Sequence, residues 1–141
     1  MSLQSRPVIA VPPTATVMET IRTMAGTKVG SVVVLDGSSL VGIFSERDVM
    51  LRVVLERRDP ETTTVQEVMT SPVQTIPAST TGDAALRIML QNHIRHLPVV
   101  DDNGGTLAVV SMRKLLEEKI EELNQELDSL ESYITADGIG G

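Results

Sequence analysis

Residues 31–48 read SVVVLDGSSLVGIFSERD, and residues 96–114 read HLPVVDDNGGTLAVVSMRK. In both stretches two runs of aliphatic residues flank a glycine-containing turn, a pattern that predicts a β-hairpin. Each hairpin then reaches a serine, Ser45 or Ser111, a residue type that is preferred at the N-cap of a helix. The chain therefore contains one hairpin-and-helix unit twice.

The repetition extends to the N-terminal side of each hairpin. Each copy begins with a short apolar stretch that ends in proline, followed by apolar residues at helical spacing. The helical sets are Val17, Ile21 and Met24 in the first copy, and Leu86, Met89 and Leu90 in the second. We therefore predict two β-α-β-β-α repeats, residues 7–58 and 73–118. Packing the two sheets face to face would bury the apolar face of each. Residues 59–72 are interpreted as a surface connector with one helical turn.

The composition excludes several classes of function. The 141 residues carry a net charge of −7, with one Phe, one Tyr, no Trp and no Cys. Acidity and scarce aromatic residues argue against nucleic-acid binding, and the lack of cysteine excludes disulfides and thiolate chemistry. No apolar run is long enough to span a membrane, and no secretory signal pattern is visible. We expect a cytoplasmic protein without nucleic-acid or membrane partners, and interpret Met18, Met24, Met50 and Met89 as core residues.

At GIFSERD (residues 42–48) and IRHLPVVD (residues 94–101) the sequence resembles the CBS-domain family, in particular stand-alone bacterial CBS-domain pairs, or Bateman modules. The resemblance implies an α+β fold in which two tandem β-α-β-β-α repeats pack sheet to sheet with pseudo-twofold symmetry. It also implies a non-enzymatic regulatory module. Such modules bind an adenosine compound, such as AMP, ADP, ATP, NAD(H) or S-adenosylmethionine, between the repeats and signal to a regulated protein by conformational change.

The residue chemistry around Ser45 fits this role. The Ser45 hydroxyl and the free N–H groups of a first helical turn can bind phosphate. Asp48 can accept two hydrogen bonds from a ribose diol, and Arg47 and Arg95 can donate paired hydrogen bonds to phosphate oxygens. The alternative is that Asp48 only completes a helix cap with Ser45.

By the resemblance, each cleft combines the helix start of one repeat with the strand start of the other. The ligand-binding residues implied for cleft A are Ser45, Arg47, Asp48, Thr75, Ile76, Arg95, His96 and Pro98. Those implied for cleft B are Ala10, Val11, Val29, Gly30, Ser31, Ser111 and Lys114. Cleft B departs from the family pattern, since Lys114 stands where the ribose-binding aspartate belongs and a lysine only donates hydrogen bonds. We therefore expect cleft A to be the competent nucleotide site. Ile76 and Ile94 are candidate apolar contacts for an adenine.

The last helix has its own pattern. Six apolar residues recur at alternating spacings of four and three, as in a two-stranded coiled coil; they are Leu116, Ile120, Leu123, Leu127, Leu130 and Ile134. We predict a helix over residues 111–136, of which residues 119–136 extend beyond the second repeat, and a homodimer formed through this surface. The alternative is a helix folded back on its own repeats, which we expect for the first turns, through Ile120. In a parallel pair, Glu126 would face Glu131 of the second helix.

Two functions fit the sequence: a nucleotide-binding regulatory module, and a dimeric protein-interaction adaptor with vestigial nucleotide sites. An enzyme is not expected, because two histidines and these carboxylates assemble no nucleophile with a base and an acid. No catalytic cofactor is expected, and an adenosine nucleotide is expected only as a regulatory ligand. No metal site is expected either, because His93 and His96 have no acidic ligand at helical spacing.

Overall fold

The computed structural model describes residues 8–134. Its strands form two three-stranded sheets of the same topology, in which the middle strand pairs parallel with the first and antiparallel with the third. The first repeat contains β1 (Ala10–Val11), α1 (Val17–Thr27), β2 (Ser31–Asp36), β3 (Ser39–Ser45) and α2 (Glu46–Asp48), which continues as a π-helical segment (Val49–Val54). The connector holds α3 (Val65–Val68), and the second repeat contains β4 (Ile76–Pro77), α4 (Gly82–Asn92), β5 (His96–Val100), β6 (Thr106–Ser111) and α5 (Met112–Ile134). The predicted order of elements is confirmed.

The first helices of the two repeats begin and end in the same way. Thr16 caps α1 and Thr81 caps α4, each accepting a hydrogen bond from a backbone N–H of the first turn. Each helix ends at a residue in the left-handed region, Lys28 with a φ of 58° and His93 with a φ of 55°. This geometry turns the chain directly into β2 and β5, so that both hairpins start at equivalent places.

Each repeat has its own hydrophobic core, formed between one sheet face and the helices. Phe44 lies in the first core with Val32 and Val34, and Met89 lies in the second with Leu97 and Val99. One expectation about core residues is wrong: Met50 is exposed, because it lies on the outer face of its helix. Leu90, of the apolar set predicted for the first helix of the second copy, is exposed as well.

The two repeats pack together through the opposite faces of their sheets. Val33 alternates with Val32 and Val34 along β2, so its side chain points away from the first core, yet it is fully buried. Pro98 is buried at the corresponding place in β5. A Cβ atom built on Gly30 would lie 3.4 Å from Nε2 of His96, which belongs to the other repeat. The expected sheet-to-sheet arrangement with pseudo-twofold symmetry is therefore confirmed.

The expectation that the connector lies on the surface is wrong for its helical turn. Val65 and Val68 of α3 are buried in the first core. Beyond α3 the chain runs beside β3, where Thr70 and Ile43 exchange two backbone hydrogen bonds of 2.8 and 3.1 Å. The connector thus completes the first repeat, because it covers apolar surface that the first repeat would otherwise expose.

The helix α5 begins at Met112, because Ser111 still belongs to β6. Residues 135–136 of the predicted helix and residue 7 of the predicted first repeat lie outside the described residues. Its contact with the second core is made by Leu115, which is buried, and by the half-buried Met112. The expectation that Ile120 folds back is wrong, since Ile120 is 59% exposed. Between residues 8 and 134 no helix is apolar enough over its length to cross a membrane.

Candidate functional site

The helix start at Ser45 is held beside the beginning of β2. The carbonyl of Gly30 accepts a hydrogen bond of 3.0 Å from the backbone N–H of Glu46. The second repeat has the same arrangement, since the carbonyl of Arg95 accepts a hydrogen bond of 2.8 Å from the N–H of Met112. Each helix start therefore lies at one end of its own hairpin, where β2 and β5 begin.

Asp48 is the most densely bonded side chain in this region, and it is only 7% exposed. Its Oδ2 accepts hydrogen bonds from the backbone N–H of Ser45 at 3.0 Å and from the Ser45 hydroxyl at 3.2 Å. Its Oδ1 accepts a hydrogen bond of 3.1 Å from the Thr70 hydroxyl and lies 3.5 Å from Nε of Arg52. Arg52 also donates to the carbonyl of Met69 at 2.9 Å. Asp48 thus ties the helix start to the connector.

These contacts decide what Asp48 can offer a ligand. A carboxylate has about four acceptor positions, and Ser45, Thr70 and Arg52 engage Asp48 at four donor atoms. The capping role of Asp48 is confirmed, because it forms a reciprocal capping box with Ser45. A ribose diol would have to share or replace the bonds from Thr70 and Arg52, since those from Ser45 belong to the cap.

The equivalent position in the second repeat has different chemistry. Ser111 accepts a hydrogen bond of 3.2 Å from the backbone N–H of Lys114, so the serine cap is retained. Lys114 is exposed. Its ammonium group only donates hydrogen bonds, so it cannot accept the reciprocal hydrogen bond from Ser111 that would complete a capping box. The two helix starts therefore share a backbone geometry but differ in charge and in acceptor capacity.

A second cluster lies where the two repeats meet. A Cβ atom on Gly30 would lie 3.1 Å from Oε1 of Glu46 and 3.4 Å from Nε2 of His96. Glu46 belongs to the first repeat and His96 to the second, so the helix start of one repeat lies next to the strand start of the other. Burial of the ring lowers the pKa of His96 below its ordinary value of 6.5; Glu46 opposes this shift and Arg95 adds to it.

We predict that the imidazole of His96 titrates with a midpoint below 6.5. The folded state then binds fewer protons than the unfolded state between the two pKa values, so the free energy of unfolding falls as the pH drops below 6.5. Proton NMR titration of the ring resonances measures the midpoint, with His96→Gln for assignment. A His96 midpoint above 6.5 would contradict the burial of the ring at this junction.

The other predicted residues of cleft A differ in how accessible they are. Arg47, Thr75 and Arg95 are exposed, while Pro98 is buried in β5. Ile76 is 3% exposed and packs in the second core, so its backbone is the part that a ligand could contact. Ile94 is half-buried and also packs against that core.

In the predicted cleft B, Gly30 and Ser31 lie where the first hairpin begins. Ser111 lies directly before α5 begins. Val11 and Val29 contribute to the first core. Ala10 and Lys114 are exposed.

Four residues of this region were not predicted from the sequence as site residues: Arg52, Glu46, Met69 and Thr70. Arg52 lies four residues after Asp48, a spacing at which helical ion pairs form, and could have been found. Glu46 adjoins Ser45, but its neighbour His96 is on the other repeat. Met69 and Thr70 belong to the connector. Its path beside β3 could not be predicted, because the connector has no periodic sequence pattern. No group of three or more metal-ligating side chains is found in the part of the chain that the structure describes.

Together, the fold and the site define a class of protein: an α+β pair of pseudo-symmetric repeats in which a capped helix start of one repeat faces a strand start of the other. The family model of the CBS domain matches residues 2–55 and 65–121. The chain therefore belongs to the CBS-domain family.

Individual relatives agree with this assignment. An uncharacterized protein from Methanopyrus kandleri is 34% identical over 113 residues, covering 79% of this chain and 58% of the relative. A protein with CBS domains from Burkholderia ambifaria has a structure with a TM-score of 0.79 and 31% identity, covering 84% of this chain and 90% of that one. A CBS domain protein from Pyrobaculum aerophilum, solved in complex with AMP, has a TM-score of 0.71 and 31% identity, covering 80% and 88%. The chain therefore spans less than two thirds of the length of the Methanopyrus protein.

Proposed function

We propose that this protein is a non-catalytic regulatory module that binds one adenosine nucleotide in cleft A and passes the signal to a partner protein. The observation that carries the proposal is the proximity of the Ser45–Asp48 helix start to His96 of the other repeat. This proximity offers the exposed Arg47 guanidinium for a phosphate and the Asp48 carboxylate for a ribose from one side. The AMP complex of the Pyrobaculum relative supports an adenosine ligand.

The contacts of Asp48 provide a route for the signal. A ribose diol that bonds to Oδ1 competes with the Thr70 hydroxyl and with Arg52. Arg52 also donates a hydrogen bond to the Met69 carbonyl. When Arg52 leaves Asp48, the contact between the π-helical segment and the connector therefore becomes weaker. Ligand binding then shifts the chain between two arrangements of the connector, and a partner that prefers one of them responds to the nucleotide.

A thermal-shift titration with AMP, ADP, ATP, NAD, NADH and S-adenosylmethionine tests the proposal. A ligand of the native state raises the melting temperature in a concentration-dependent way that follows RT ln(1 + [L]/Kd). We expect a shift with at least one compound, and we expect Asp48→Ala to remove the ligand-dependent part of it. The absence of a shift with all six compounds would overturn the proposal.

Lys114→Asp is predicted to create a second, weaker site in cleft B. The substitution gives the second helix start the acceptor that the first already has, and the Ser111 cap is in place to hold it. Titration calorimetry should then give a stoichiometry that rises from one towards two nucleotides per chain. Lys114→Gln, which removes the charge without supplying a carboxylate, is the matched control and should stay at one. Two equal sites in the unmodified chain would contradict the predicted asymmetry.

The alternative function is a dimeric adaptor with vestigial nucleotide sites. It is favoured by the exposed apolar residues of α5, a surface suited to another protein. The same thermal-shift panel separates the two functions, because an adaptor should bind none of the six compounds.

A further inference from the structure

An open groove lies on the second repeat, between the start of α4 and the helix α5. This repeat-2 groove has a volume of about 380 Å³, and it is lined by residues 78–83, Leu86, Leu115, Lys119 and Glu122. A volume of this size is at the small end of the range for ligand pockets in proteins. None of the residues assigned to cleft A lines the groove, so it is a separate place on the molecule.

The equivalent place in the first repeat is filled by the connector. Four backbone hydrogen bonds of 2.8–3.2 Å hold the connector there, two in each direction. They join Val17 to Thr63, Met18 to Pro60, Ala15 to Val65, and Pro13 to Gln66. Among these bonds, Thr16 and Thr64 form an antiparallel β-bridge. The first repeat thus binds an extended segment through its backbone.

The second repeat retains the backbone groups that make these bonds. When Thr16 is aligned with Thr81, the four equivalent residues all line the groove; they are Ala78, Thr80, Gly82 and Asp83. The two threonines have nearly the same conformation, with φ and ψ of −72° and 158° at Thr16 and of −77° and 159° at Thr81. Between residues 8 and 134, the two N–H groups and the two carbonyls of this set have no hydrogen-bond partner. The groove therefore presents donors and acceptors in the order that binds the connector in the first repeat.

The apolar floor of the groove is also retained. Leu86 and Leu115 belong to the second core and correspond to Ile21 and Val49, which pack against the first core. The connector enters that first core with Val65. An apolar side chain placed like Val65 would therefore meet apolar surface in the groove as well.

The charge at the edge of the groove favours an acidic occupant. Arg87 is exposed and forms no ion pair with any residue between 8 and 134. Its equivalent in the first repeat, Arg22, lies 3.9 Å from Glu61 of the connector. Lys119 adds a cation beside the groove and lies 3.4 Å from Asp83. An acidic residue placed like Glu61 would give Arg87 the partner that Arg22 already has.

We propose that the repeat-2 groove binds an extended, acidic peptide segment of a partner protein, in the place that the connector has on the first repeat. The connector of a second copy is not free for this role, because its own repeat holds it by four backbone hydrogen bonds. Binding follows the strand-addition mode, in which main-chain hydrogen bonds hold the segment and side-chain positions select it. The proposal does not rest on nucleotide binding, which is assigned to cleft A.

A fluorescein-labelled peptide with the sequence of residues 59–68, DPETTTVQEV, tests the proposal, because the first repeat already holds this sequence. Its binding to the full chain is measured by fluorescence anisotropy in the absence of nucleotide. We expect saturable binding to the unmodified chain. A peptide of the same composition in reversed order is the control and should not saturate. The absence of binding to the unmodified chain would overturn the proposal and would not affect the proposed function.

Gly82→Pro locates the peptide on the groove, because it removes one of the two donors. Gly82 is the first residue of α4, a position at which proline is favoured. Thr81 has the extended backbone that a residue before proline prefers. We expect Gly82→Pro to weaken peptide binding about tenfold, as the loss of one hydrogen bond can. Gly82→Ala keeps the N–H group, and it should bind the peptide like the unmodified chain.

A second pair of variants tests the charge and does not depend on how Gly82→Pro folds. Arg87→Glu should weaken peptide binding about threefold, as expected for one exposed ion pair. Arg22→Glu makes the same change in the first repeat, where the connector already fills the place, and should leave peptide binding unchanged. If Gly82→Pro binds as tightly as Gly82→Ala, or if Arg22→Glu weakens binding as much as Arg87→Glu, the peptide binds elsewhere and the proposal is wrong.

Discussion

Asp48→Asn should weaken nucleotide binding about a hundredfold, the largest functional effect expected of a single substitution in this chain. Hydrogen bonds to a charged acceptor contribute about 1.5–3 kcal/mol each, and a factor of ten corresponds to about 1.4 kcal/mol. The asparagine has nearly the same volume, but it replaces one acceptor oxygen by a donor group. Titration calorimetry with the nucleotide that gives the largest thermal shift measures the loss.

Thr70→Val is the matched control for this prediction. It removes the hydroxyl that donates to Oδ1 of Asp48 and leaves the carboxylate in place. Both substitutions should lower the free energy of unfolding, because both remove a hydrogen bond between the cap and the connector. Only Asp48→Asn should lower affinity, and Thr70→Val should leave affinity equal or higher, since one competitor for Oδ1 is gone. An equal loss of affinity in both variants would mean that Asp48 acts only through the structure of the first repeat.

Gly42→Val should cause the largest loss of stability among the substitutions discussed, about 3 kcal/mol, the upper end of the usual range for overpacking a well-packed site. A Cβ atom at Gly42 would meet the Met69 side chain, with Cγ only 2.7 Å away. Met69 is held by its connector, whose next residue, Thr70, pairs with Ile43. Added methyl groups must therefore displace the Met69 side chain from its place against the first core or push the connector away from β3. Chemical denaturation followed by circular dichroism measures the change.

Shortening Met69 should relieve this clash. In a double-mutant cycle with Met69→Ala, the two substitutions together should cost less than their sum by about 1–2 kcal/mol, within the range seen for residues in contact. The pseudo-symmetric control is Ala108→Gly, which removes a buried methyl group and should cost about 1 kcal/mol. Strict additivity of Gly42→Val and Met69→Ala would show that the side chain of Met69 is not what limits the space at Gly42.

The repeat pattern predicted most of the fold, because branched aliphatic runs, turn glycines and capping serines are local signals that occur twice. The connector could not be predicted in the same way. Val65 and Val68 are two apolar residues in a polar stretch, and only the three-dimensional path of the chain places them in the first core. Exposure was also hard to predict on helices, because a methionine such as Met50 suits a core as well as an interaction surface.

The residues assigned to the candidate site from the sequence remain a prediction, and the contacts that hold them in place could not be predicted. The spacing of Ser45 and Asp48 indicated both a cap and a ribose acceptor, and the structure confirms the cap. The contact of Asp48 with Thr70 joins residues that are 22 positions apart, so no local pattern could reveal it. Glu46 and His96 meet only because two sheets pack face to face, which is a consequence of the whole fold.

The most direct test of the central claim is to map nucleotide binding residue by residue with amide NMR spectra of the isotope-labelled protein. The ligand should be the panel compound with the largest thermal shift, titrated to saturation. We expect the amide resonances of Ser45 to Asp48 and of Arg95 and His96 to shift together, while those of Ser111 to Lys114 stay in place. Shifts centred on Ser111 and Lys114, or spread equally over both helix starts, would contradict the assignment of the regulatory site to cleft A.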